Sequence, residues 1–123
     1  MAYMTDRKRA VGLGSARAGT EHHWQMIVSS YALLILTPLF LIAWGPMLGQ
    51  SHAAVLAHFA RPFPAIVTGL MLVVGLHHFR KGVQTAIEDY TEGVTRHLLI
   101  IGAACLSYGA MATGLFALAR LAL

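Results

Sequence analysis

Apolar residues in this chain fall into three long blocks, with the polar residues gathered between them. Met26–Leu48, Pro62–Phe79 and Leu98–Ala119 contain no Asp, Glu, Lys or Arg. A helix needs about 20 apolar residues, with a range of roughly 17 to 25, to cross the hydrocarbon core of a bilayer. Each block meets that length. In lipid the backbone must satisfy its own hydrogen bonds, so each block is expected to be helical. The pattern predicts an all-α integral membrane protein, a single membrane-anchor domain over 1–123. It has a polar segment at 1–25 and transmembrane helices over about 26–48, 62–90 and 97–120. The second helix is drawn beyond its apolar block to Tyr90. Only Gly82 weakens the helix there, and Arg80 and Lys81 have stems long enough to snorkel to the headgroups. Pro62 and Pro64 suit its first turn, where a missing N–H does no harm. The first block is too long, and too far from the start, to be the apolar region of a signal peptide.

Composition agrees: 57% of residues are hydrophobic and 11% charged, against about 25% charged in soluble domains. The net charge of +4 does not point to nucleic acid, because the basic residues sit between the apolar blocks and form no continuous face. Their distribution sets a direction instead. Arg7, Lys8, Arg9 and Arg17 precede the first block, and Arg80, Lys81 and Arg96 lie between the second and third. Only Arg61 and Arg120 fall on the other side. The positive-inside rule then puts the N-terminus on the inner side and the C-terminus opposite. Asp6, Glu21, Glu88, Asp89 and Glu92 share the inner side. Trp24 and Trp44 stand near the ends of the first block, where aromatic belts form. Cys105 has no partner for a disulfide and supports no cysteine metal site; it is expected to be a packed thiol. Gly12–Thr20 is glycine-rich but lacks a phosphate-loop pattern, and is expected to be a flexible inner segment.

The chemistry concentrates in GLHHFRKGVQTAIEDY, Gly75–Tyr90. At about 100° per residue, His78 and Asp89 share a helix face, with Gly82, Thr85, Gly75 and Met71 along it. They lie roughly 16 Å apart along the axis. His78 is therefore deep in the bilayer, and Asp89 and Tyr90 are near its inner surface. His77 points about 100° away. Glycines beside a histidine let a flat macrocycle or another helix come close. Two readings stay open: a neutral imidazole ligating haem iron, or helix packing with a hydrogen-bonded histidine. No second histidine lies at that depth, since His22, His23, His52, His58 and His97 are near span ends or in loops. A six-coordinate haem would need its other ligand from another chain. Asp89 and Tyr90 read either as a solvated helix end with an aromatic anchor or as a site where a phenol donates to the carbonyl of a lipid-soluble molecule.

This segment resembles the second-helix signature of the small hydrophobic anchor subunit of succinate dehydrogenase, respiratory complex II. That signature has a haem-ligating His, a Gly four residues on, and an Asp–Tyr pair eleven and twelve residues on. His78, Gly82, Asp89 and Tyr90 match it, and GLGSARAGTEHHW is similar to the family's inner-side segment. The resemblance implies a haem b shared with a cytochrome b subunit, with His78 as one axial ligand to the iron and Gly75 and Gly82 on the haem face. It implies ubiquinone at Tyr90, supported by Asp89. The partner flavoprotein and iron–sulfur subunits would carry FAD and the iron–sulfur clusters and dock on the inner side. His77 is the rival ligand, disfavoured by its spacing to Asp89. One departure stands out: where many relatives carry an arginine, Gln25–Ser30 has no basic residue, so Arg17, His22, His23 or a partner chain would replace it. A fumarate reductase anchor and a cofactor-free structural or transport-associated membrane protein are the alternative functions. The absence of an Arg- and Ser-rich transit segment favours a bacterial cytoplasmic (inner) membrane over a mitochondrial one.

Overall fold

The computed structural model describes residues 4–12 and 19–123. Its elements are all helical: α1 (Asp6–Val11), α2 (Gly19–Trp44), a 3-10 turn (Gly45–Met47), α3 (His52–Phe59), α4 (Pro62–Tyr90) and α5 (Gly93–Ala122). Three of these helices are long and apolar enough to span a membrane. Helix α2 starts well ahead of its apolar block and α5 a few residues before its own, because nothing polar in those leading turns opposes helix. Pro38 sits inside α2, while Gly45 and Pro46 turn its end into the 3-10 segment.

Two short helices fall outside the apolar blocks. Thr5 caps α1, its hydroxyl accepting from Lys8 N at 3.2 Å, and Ser51 caps α3 by accepting from Ala54 N at 3.3 Å. Such side-chain oxygens satisfy N–H groups that have no partner inside a helix. Pro62 opens α4 at its first position. Thr91 closes it, its N–H and its hydroxyl both donating to Ile87 O, at 3.0 and 2.6 Å. Gly93, at φ 62°, makes the turn that an L side chain resists.

Helix α4 is the centre of the bundle. It packs against α2 on one side and α5 on the other, and α3 closes one end. The α4–α5 approach is close: a Cβ at Gly114 would lie 3.2 Å from Leu72 Cδ1. The buried apolar core is small, comprising Leu36, Ala43, Phe59 and Val67. Leu34, Ile42, Leu106 and Phe116 instead face outward. Lipid tails are as apolar as leucine, so nothing drives such side chains inward. Cys105 belongs with them. It is exposed, contrary to the packed thiol expected, because the inward face of α5 at this level is taken by Ser107, which is 2% exposed. Trp44 also departs from expectation. It turns into the bundle, where its indole N–H donates to Thr68 Oγ1 at 2.8 Å and its ring lies 4.8 Å from that of Phe59.

Candidate functional site

His78 projects from α4 toward α2, and its Nδ1 lies 2.9 Å from the hydroxyl of Ser29. Ser29 is buried and its Oγ also approaches two carbonyls of its own helix, Gln25 O at 2.8 Å and Met26 O at 3.0 Å. Among the described residues nothing bonds to His78 Nε2, and that atom is not sealed from its surroundings. A Cβ at Gly82 would meet nothing within 4 Å, and one at Gly75 only Leu33 Cδ2 at 4.0 Å. The chain therefore holds one imidazole nitrogen, and the other makes no bond among the described residues. That suits a ligand that is completed from outside the chain. Among the described residues, no three His, Cys, Asp or Glu side chains converge as a metal site.

His77 lines a groove of about 530 Å³ between α2 and α5, together with Trp24, Val28, Val73 and Tyr108. Ser29, whose hydroxyl meets His78, lines the same groove. The remaining histidines serve other places: His58 Nε2 bonds Ala43 O at 2.9 Å, His97 Nδ1 bonds Gly93 O at 2.9 Å, and His52 begins α3. His22 and His23 line a separate groove with Met26, Ser30, Tyr31 and Thr85. Thr85 brings α4 to this groove. Arg17, the other candidate to replace the missing arginine, lies outside the described residues.

Asp89 and Tyr90 end α4, and both are exposed, Tyr90 at 88%. Neither forms an ion pair or side-chain hydrogen bond among the described residues. The backbone beneath them is well fixed. Arg96 Nη2, from α5, donates to Glu88 O at 2.7 Å, covering a carbonyl that the end of α4 leaves free. Gln84 Nε2 donates to the Glu88 carboxylate at 2.8 Å. Farther up, the Arg80 guanidinium stands 5.3 Å from the centre of the Tyr108 ring, within range of a cation–π attraction. The α4–α5 corner is thereby braced while the two side chains at its tip stay free. Sequence reasoning missed Ser29 and Arg96. Ser29 showed only as a polar residue inside an apolar block; its partner lies on another helix.

A family model described as succinate dehydrogenase/fumarate reductase transmembrane subunit matches residues 1–114. The chain belongs to this family. Over all 123 of its residues it is 48% identical to the succinate dehydrogenase hydrophobic membrane anchor subunit of Paracoccus denitrificans, spanning 95% of that protein. No solved structure matches. The family match runs through α2, α4 and most of α5, so it includes Ser29, His78, Asp89 and Tyr90.

Proposed function

We propose that this chain is the membrane anchor subunit of a succinate:ubiquinone oxidoreductase, and that α4 carries both of its electron-transfer contacts. His78 would hold the iron of a haem b through Nε2, together with a residue of a cytochrome b partner subunit. Bound there, a haem would supply one-electron redox chemistry. Gly75 and Gly82 keep side-chain bulk off that face. Tyr90 donates its phenolic hydrogen to a quinone carbonyl, with Asp89 orienting the group or delivering protons. His22 and His23 offer polar contacts on the same face. The flavoprotein and iron–sulfur subunits dock on the inner side, at the Tyr90 end, and the N-terminus lies on that side of a bacterial inner membrane. The observation that carries this reading is His78 with one nitrogen held by Ser29 and the other without a bond among the described residues, on the helix whose far tip presents an exposed Tyr90.

Family membership covers succinate oxidation and fumarate reduction alike. The identity to a succinate dehydrogenase anchor favours the former. A cofactor-free structural protein would leave the coincidence of His78, Gly82, Asp89 and Tyr90 without a cause.

Two measurements test the proposal. Reduced-minus-oxidised spectra of the purified complex should lose the low-spin haem bands in His78→Ala and retain them in His77→Ala; the reverse result would overturn the ligand assignment. Orientation is read by placing a cysteine at Ser51 in a Cys105→Ala background. A membrane-impermeant thiol reagent should label it from outside intact spheroplasts, and protection there would place α3 on the inner side and defeat the docking scheme.

A further inference from the structure

The geometry points to Ser29 as the positioning residue for the haem ligand: its hydroxyl accepts the His78 Nδ1 proton, which fixes the tautomer and the ring plane and leaves the Nε2 lone pair to the iron. This rests on the proposed role of His78 and adds to it a residue on a different helix.

The direction of the bond is the one that Nε2 ligation requires, and the hydroxyl has another outlet for its own hydrogen. A serine hydroxyl has one hydrogen to donate and lone pairs to accept with. Ser29 Oγ stands within bonding distance of three groups: Gln25 O at 2.8 Å, Met26 O at 3.0 Å and His78 Nδ1 at 2.9 Å. The two carbonyls have no hydrogen and can only accept. With the hydroxyl hydrogen directed to a carbonyl of its own helix, Oγ is an acceptor toward His78, and Nδ1 carries the imidazole proton. The neutral ring then has its lone pair on Nε2, the nitrogen that makes no bond among the described residues. The opposite arrangement, with Ser29 donating to Nδ1, would put a proton on Nε2 and block ligation.

Burial makes the contact specific. Ser29 is 7% exposed, so its hydroxyl is largely enclosed between the helices. Leu33, one turn along α2, comes within 4.0 Å of where a Cβ at Gly75 of α4 would stand, so the two helices also meet one turn from the bond. A ligating histidine that donates its second N–H becomes the more basic ligand, and loss of such a partner typically weakens metal binding about 10–100-fold. A more basic ligand also favours oxidised iron, so losing the bond should raise the haem midpoint potential.

The test uses the whole purified complex carrying Ser29→Ala, Ser29→Thr or Ser29→Val. Thr and Val have nearly the same shape and differ in the hydroxyl, so the pair separates hydrogen bonding from packing. Three properties are read: the rate of haem loss to a scavenging apoprotein, the low-spin electron paramagnetic resonance signal, and the midpoint potential. Ala and Val should lose haem about tenfold or more faster, shift the signal and raise the potential, while Thr stays near wild type. If Thr and Val shift alike, the site depends on shape and the inference fails. It also fails if Ala and Val match wild type in all three readouts. His78→Ala, measured in parallel, separates the two levels. Low-spin haem that survives it overturns the ligand role and this inference together; haem lost there but unmoved by Ser29 variants overturns this inference alone.

Discussion

The two ends of the bundle are built on opposite plans. At the α3 end the chain completes itself. Phe59 has no exposed surface and lies between Trp44, at 4.8 Å between ring centres, and His58, at 5.2 Å in an edge-on arrangement. Phe40 stacks beyond Trp44 at 5.7 Å, and the polar tips of this cluster are satisfied by Thr68 and Ala43 O. At the Tyr90 end the backbone is braced by Arg96, yet the side chains of Asp89 and Tyr90 have no partner among the described residues. The difference separates two tasks. One end holds three helices together with the chain's own residues; the other leaves Asp89 and Tyr90 exposed.

That contrast breaks most sharply at Phe59. Phe59→Ala should open a cavity beneath Trp44 and His58. Such truncations cost about 3–5 kcal/mol in soluble cores. Lipid reduces the transfer part of that cost, so the lower end, about 3 kcal/mol, is expected. The check is thermal or detergent inactivation of the purified complex, with haem spectrum and quinone reduction recorded before heating. Stability should fall while both functional readouts hold. Equal loss of haem at ambient temperature would show that the two ends are not independent.

Much of this architecture was legible in the sequence, for a reason that also sets the limit. Bilayer thickness acts on the length of an apolar run, and run length is a local property, so the three long helices could be drawn from Met26, Pro62 and Leu98. The shared face of His78 and Asp89 was legible too, because helical period is local. Helix pairing is different. When lipid and neighbouring helices are equally apolar, no amphipathic stripe marks the inward face. Cys105 therefore looked as fit for packing as Ser107, and only the folded chain shows that α5 turns Ser107 inward and Cys105 out. The inward turn of Trp44 and the pairing of Ser29 with His78 are hidden for the same reason. The short helices α1 and α3 did leave a mark, in the caps Thr5 and Ser51, but apolar blocks and charge counts pass over them.

At the open end the expected effect is smaller in stability and concentrated in rate. Tyr90 is 88% exposed and bonds to nothing among the described residues, so Tyr90→Phe removes a hydroxyl on which the fold does not depend. Thermal stability of the complex should stay at its wild-type value, opposite to Phe59→Ala. If Tyr90 donates to a quinone carbonyl, that bond strengthens as the oxygen gains charge on reduction. Hydrogen bonds to charged groups are worth about 1.5–3 kcal/mol, so quinone reduction should fall by roughly one to two powers of ten if the bond forms mainly in the transition state. Succinate oxidation measured with an artificial acceptor at the flavin should be unchanged, because that chemistry lies in another subunit. Asp89→Asn keeps the shape and removes the charge, and should lower the rate less than Tyr90→Phe unless the carboxylate passes protons. In that case its deficit should grow as pH rises and protons become scarce. Normal quinone reduction and normal apparent quinone affinity in Tyr90→Phe would make Tyr90 an interfacial anchor, and the open end would then be a docking surface rather than a quinone site.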